Sequence, residues 1–214
     1  MTTTVKDFQR FVVPYIAGAP IPAVHDEIMG AAIEFCRRTR VFTEWIEVNL
    51  TEHVGKYTIT PAAQNVQVTE TLSAWTSAGK LYPATRPELD VWYPGGWMDL
   101  ETDAIDGIAR YHCPLPDTIH IVPAPSFTQA SALKLEVALS PMPTSTELPD
   151  ILLNRYWQII RNGALGRLHQ HPEKYADPSR AAAYLELFNS EVNRLTDEPV
   201  HGYNRNVLRV QIED

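Results

Sequence analysis

Between residues 21 and 36 the apolar positions fall three and four apart, at Ile21, Val24, Ile28, Ala31, Ala32, Phe35 and Cys36. That spacing lines one stripe of a helix over 20–42. Pro22 suits its first turn, where a backbone N–H would have no partner anyway. Asp26 and Glu27 lie toward the positive end and Arg37, Arg38 and Arg40 at the negative end, so both groups favour the macrodipole. A helix with one apolar face needs partners, and the next long helical patterns come only after residue 148. Ile151, Leu152, Tyr156, Ile159, Ile160, Leu165 and Leu168 mark one, ended by His171-Pro172. Ala181, Tyr184, Leu185, Phe188, Val192 and Leu195 mark the last, with Asp177 as cap and Pro178 at the first position. Gly163 and Gly166 are costly inside a helix, which predicts close packing there against another backbone. A short helix over 7–16 is expected to end at Pro14.

Between these helices the period drops to two. Ile46, Val48 and Leu50 line one face, and Tyr57 and Ile59 follow after Gly55, so 44–60 is predicted as a hairpin turning at 53–55. Val66, Val68 and Leu72 predict a further strand, a turn over 75–79 follows, and 80–85 resumes extended structure. Pro87 reads as the first position of a short helix. Residues 93–107 read as an exposed loop. Strands return at 108–112, 117–122 and 131–139, the last alternating Leu133, Leu135, Val137 and Leu139 with Lys134 and Glu136. Pro141, Pro143 and Pro149 mark a boundary, and Pro199 and Gly202 release a tail with the strand-like run Val207, Leu208, Arg209, Val210, Gln211, Ile212. The fold class expected is α+β: a discontinuous helical bundle of 1–43 and 147–198, a β-sandwich-like insertion of about 44–146, and an extended C-terminal tail of 199–214.

Composition narrows the function classes. The 214 residues are 44% hydrophobic and 21% charged, ordinary for a soluble globular protein. A net charge of −8 argues against a general nucleic-acid-binding surface, which needs a basic patch. Only Cys36 and Cys113 are present, and Cys36 lies on the apolar helical stripe, so a reducing context is expected. Neither a signal-peptide pattern at the start nor an apolar run of membrane-spanning length occurs, so no membrane role is expected.

Candidate chemistry is sparse. His169 and His171 are two apart, whereas zinc helices use a spacing of four. His112 and Cys113 with His120 could supply ligands across two strands, without a second pair to complete a tetrahedral set. Asp99, Glu101, Asp103 and Asp106 resemble the opening of a calcium loop, but Ala104 and Arg110 stand where its glycine and closing glutamate belong. They read as a solvated acidic loop. With no phosphate loop, nucleophile elbow or zincin helix either, no catalytic residue, cofactor or metal is expected. Trp75, Trp92, Tyr93 and Trp97 could line a sugar-binding face; ends of a sandwich or subunit contacts, where aromatics are enriched, are the preferred reading.

Several runs carry a resemblance. Pro14-Tyr15 followed by Gly18-Ala19-Pro20, then Ala31-Ala32-Ile33-Glu34-Phe35-Cys36-Arg37-Arg38-Thr39, is similar to the head–tail adaptor proteins of tailed bacteriophages. So are Asp117-Thr118-Ile119-His120-Ile121-Val122-Pro123-Ala124-Pro125 and Gly163-Ala164-Leu165-Gly166-Arg167-Leu168, and the likeness reaches to about residue 197. The resemblance implies a structural, non-enzymatic virion protein of the neck, assembled in the host cytoplasm. It implies a ring of copies, twelvefold, between the portal protein and a tail or nozzle protein, with double-stranded DNA passing through without sequence-specific binding. Val207, Leu208, Arg209, Val210 and Ile212 become a candidate portal-docking tail. Asp99, Glu101, Asp103 and Asp106 become candidates for an acidic bore. The alternatives are a β-sandwich module presenting Trp92 and Trp97 to carbohydrate or a host receptor, and a small metal-dependent enzyme.

Overall fold

The computed structural model describes residues 2–97 and 108–201, with side chains through 196. Its elements run β1 (Thr2–Thr4), α1 (Val5–Val12), a 3-10 turn (Val13–Tyr15), α2 (Ile21–Thr39), β2 (Thr43–Leu50), β3 (Lys56–Thr58), β4 (Val66–Thr76), β5 (Gly79–Pro83) and α3 (Arg86–Trp92). There follow β6 (Arg110–Leu115), β7 (Thr118–Val122), β8 (Gln129–Pro141), β9 (Glu147–Pro149), α4 (Asp150–Leu168) and α5 (Pro178–His201). The class is α+β. The chain divides into two compact units, one of Met1–Thr4 and Phe42–Ile151, the other of Val5–Val41 and Leu152–Asp214.

In the helical unit, α2 buries Val24, Ile28, Ala31, Ala32, Phe35 and Cys36. Ile21, at the start of the same stripe, is exposed. The helix stops where Arg40 takes a left-handed conformation, φ 53°, and its N–H returns to the Cys36 carbonyl at 3.0 Å. α4 packs against both α2 and α5 through its glycines. A Cβ built on Gly163 would lie 2.8 Å from Phe188 Cδ2 and 3.0 Å from Ala31 Cβ, and one on Gly166 would lie 2.7 Å from Leu185 Cγ. Only residues without a side chain let those helices approach so closely. Asp177 caps α5, its Oδ1 accepting the N–H groups of Ser179 and Arg180 at 3.1 and 3.0 Å. The helix runs through Pro199 to His201, past the position where the sequence predicts the tail to begin.

In the other unit seven strands form one sheet in the order β2-β8-β4-β5-β6-β7-β3. It curls into a mostly closed barrel where two stacked sheets were expected. The interior holds Ile46, Leu50, Tyr57, Leu81, Ile119, Leu133, Leu135 and Leu139. β2 and β3 are strands, as their alternation predicts, but they are not a hairpin: β2 pairs with β8 and β3 with β7. The loop between them bonds elsewhere, with His53 N–H to Pro125 O and Ile121 N–H to Gly55 O, both 2.8 Å. Those two strands therefore become the two edges of the sheet. β1 pairs with β9 as a separate two-stranded ribbon, and Thr3 Oγ1 donates to Asp150 Oδ1 at 2.6 Å. α3 opens with a capping box between Thr85 and Glu88 and packs Leu89 into a second, smaller core with Ala84, Tyr93, Trp97 and Val122.

Candidate functional site

Strand alternation gives β2, β8, β4 and β5 an outward face as well as an inward one. Ile46, Leu135, Ala74 and Leu81 point in and are buried. Their neighbours Trp45, Lys134, Glu136, Trp75, Lys80 and Tyr82 therefore point out. The register sets Glu47 opposite Lys134, Lys134 opposite Trp75 and Trp75 opposite Lys80, with Trp45 and Ser73 both opposite Glu136. Lys134 Nζ lies 3.3 Å from Glu47 Oε1, Ser73 Oγ donates to Glu136 Oε2 at 3.1 Å, and Lys80 Nζ sits 5.7 Å from the Trp75 ring centre. Such exposed pairs add little stability. Trp45, Trp75 and Tyr82 nonetheless keep 57, 41 and 51% of their surface open. Exposed Trp and Tyr are the residue types enriched in protein–protein contacts, whereas the Lys, Glu and Ser beside them are depleted there.

A second aromatic cluster, absent from the sequence reading, lies in the helical unit. Arg10 covers Phe11, Phe11 stacks on Trp157 at 4.3 Å between ring centres, and Arg161 reaches both Trp157 and the exposed Tyr15. The i, i+4 spacing of Trp157 and Arg161, with aromatics on either side of Pro14, was the available signal.

Trp97 is not a sugar platform: it is buried, its Nε1 donates to Asp90 Oδ1 at 2.8 Å, and its ring edges meet His112 and His120. Tyr93 is buried beside it, and Trp92 is half-buried with the Arg110 guanidinium 4.2 Å above its ring. His112 and His120 face each other across β6 and β7, where burial, then Lys56 and His112, push the His120 pKa down. His169 and His171 diverge. His169 is buried, with Nδ1 at 2.9 Å from Tyr175 O and its ring stacked on Tyr184, whereas His171 Nε2 reaches Glu27 Oε1 at 2.8 Å. Among the described residues no group of three His, Cys, Asp or Glu could hold a metal ion. Burial pushes the Cys36 thiol up to about 12. Asp99, Glu101, Asp103, Asp106, Val207, Leu208, Arg209, Val210 and Ile212 lie outside the described residues. Gly163 and Gly166 form the close helix contacts already described.

Two runs that carried the resemblance meet here. Ala31 and Glu34 of the first touch Gly163 and Arg167 of the second. The family model for the SU10 adaptor protein matches residues 3–210, nearly the whole chain. The chain belongs to the SU10 adaptor family. No curated protein matches it. Membership gives the adaptor a structural role as a phage component that associates with other parts of the virion. Among the described residues no helix of the adaptor is long and apolar enough to cross a membrane.

Proposed function

We propose that this chain is a head–tail connector subunit: twelve copies form a ring between portal and tail, and DNA passes through the bore. The observation that carries the reading is the family match over nearly the full length of the chain. The open aromatic face of β2, β8, β4 and β5 supports it, since a ring subunit needs contact surfaces beyond its own core. Asp99, Glu101, Asp103 and Asp106 are assigned to the bore. The −8 charge per copy, multiplied around a ring, repels the duplex and keeps it centred, whereas a basic lining would hold phosphates by counterion release.

Mass measurement of the purified chain, alone and mixed with portal rings, followed by electron microscopy of the complex, tests the reading. A closed ring stacked on the portal is expected. A chain that stays monomeric and ignores the portal would overturn it, and a bore lined mainly by Arg and Lys would overturn the electrostatic part alone.

A further inference from the structure

β5 leaves its place in the sheet early. It pairs with β4 only from Ala74 to Thr76, and with β6 only at Arg110 and Tyr111. Both neighbours continue: β4 extends back to Val66 and β6 on to Leu115, but they do not pair with each other. After Pro83 the chain turns away into the capping box of α3. The position it vacates is a cleft of about 430 Å³, walled by Thr69, Glu70 and Thr71 on one side and by Cys113, Pro114 and Leu115 on the other.

The walls are strand edges. Tyr82 N–H bonds to Ala109 O and Ala84 N–H to Tyr111 O, at 3.1 and 2.9 Å. β6 runs on past the end of that ladder, through a register shift between His112 and Leu115, along the wall of the cleft. Half-buried Cys113 packs against the barrel core and floors the cleft, while Leu115 on its wall is 60% exposed. Such a cleft fits a short extended chain continuing the course of β5, antiparallel to β4 and parallel to β6. The stretch of β6 from His112 to Leu115 gives it about 13 Å of edge.

We propose that this vacant strand position receives the run Val207–Ile212 of a neighbouring copy. The proposal rests on the ring reading above. The run alternates as a strand does, with Leu208, Val210 and Ile212 on one face for the core side and Arg209 on the other. Arg209 is its one charge, and Glu70 stands exposed on the rim of the cleft. Five residues, 202–206, join His201 to the run and span about 17 Å when extended. β6 ends at Leu115, which sets the far end of the cleft. This receiver lies within the ring, in place of the portal expected for the same residues.

The native Cys113 thiol makes the test direct. Leu208→Cys, Val210→Cys and Ile212→Cys are each introduced into the full chain, which is oxidised with copper phenanthroline at rising protein concentration. Cross-strand neighbours on one face bring their Cβ atoms within disulfide reach. At least one variant is expected to give reductant-sensitive dimers and higher multimers, and Cys113→Ser should abolish them. Arg209→Glu should reduce the yield, and Arg209→Glu with Glu70→Arg should restore it. A disulfide closed within one chain would overturn the neighbour as donor. Cross-linking to added portal protein instead would assign the run to the portal and overturn the proposal. Ring-sized mass without any Cys113 cross-link would remove the strand position and leave the ring standing. A chain monomeric at every concentration, alone and with portal rings, would remove the ring reading, and the donor with it.

Discussion

The guanidinium of Arg167 on α4 is hydrogen-bonded to the carboxylate of Glu34 on α2, across 133 residues of sequence. Arg38 bonds the same carboxylate at 2.9 Å and reaches Asn189 and Asn193 on α5 at 2.7 and 3.0 Å. Glu34 and Arg38 thus tie α2 to α4 and α5, from which the whole barrel separates it in sequence. Burial alone would raise the Glu34 pKa, but hydrogen bonds and charge from Arg167 and Arg38 outweigh it and hold the carboxyl below the ordinary glutamate value.

The sign of the resulting pH dependence follows. A depressed folded-state pKa gives stability that is fully present above the unfolded titration, at about 4.3, and is lost as pH falls through the folded value. Glu34→Gln should cost about 1 kcal/mol at neutral pH, the pair being partly solvent-screened. Thermal melts of both proteins from pH 7 downward should converge in acid. A gap that persists at low pH would mean that Glu34 acts through packing.

Gly163→Leu and Gly166→Leu should each destabilise the chain by about 1–3 kcal/mol, or prevent folding, because the added atoms collide with Phe188 and Leu185. The milder Gly163→Ala and Gly166→Ala should each cost stability too, since each new Cβ meets an atom that cannot swing aside, Ala31 Cβ at 3.0 Å and the backbone N of Leu185 at 3.1 Å. Denaturant midpoints rank the four variants. A charge reversal within 99–106, in contrast, is expected to fall within about 0.5 kcal/mol of the parent.

Trp97→Ala should cost about 3–5 kcal/mol, since it empties the small core under α3. Trp97→Phe keeps the apolar ring, loses the bond to Asp90 and should cost about 1 kcal/mol. Added oligosaccharides should leave tryptophan fluorescence unchanged. A saturable change that Trp97→Phe abolishes would revive the glycan-binding reading.

Trp45→Ser and Trp75→Ser, on the open face of the barrel, should leave the melting temperature within a few degrees of the parent and weaken self-association. Mass measurements across concentration decide this. Unchanged association would place the subunit contact elsewhere, with the Phe11–Trp157 cluster next in line.

What could be read in advance divides along physical lines. Local periodicity made α2, α4 and β8 legible, because each buries a regular stripe, and Gly163 and Gly166 announced a close approach by their cost. The sandwich and the 44–60 hairpin failed for a different reason. Pairing depends on which distant strand supplies hydrogen bonds, and alternation in β2 says nothing about β8. The burial of Trp97 was equally hidden, since α3 and the outer faces of β6 and β7 create it jointly. The capping box of Thr85 and Glu88 is legible in the T-x-x-E pattern, beside the signal of Pro87.

Because β2 and β3 are edges rather than partners, the order of synthesis matters to this barrel. β2 emerges from the ribosome with its apolar face exposed and finds β8 only roughly 80 residues later, a delay of about 4–16 s at ordinary elongation rates. β8 is also the strand that joins β2 to β4, so the nascent chain cannot assemble the first half of its sheet until that strand has arrived. Throughout that interval the unpaired edge and the interior side chains of β2 are open to chaperones, and to other copies emerging from the same message.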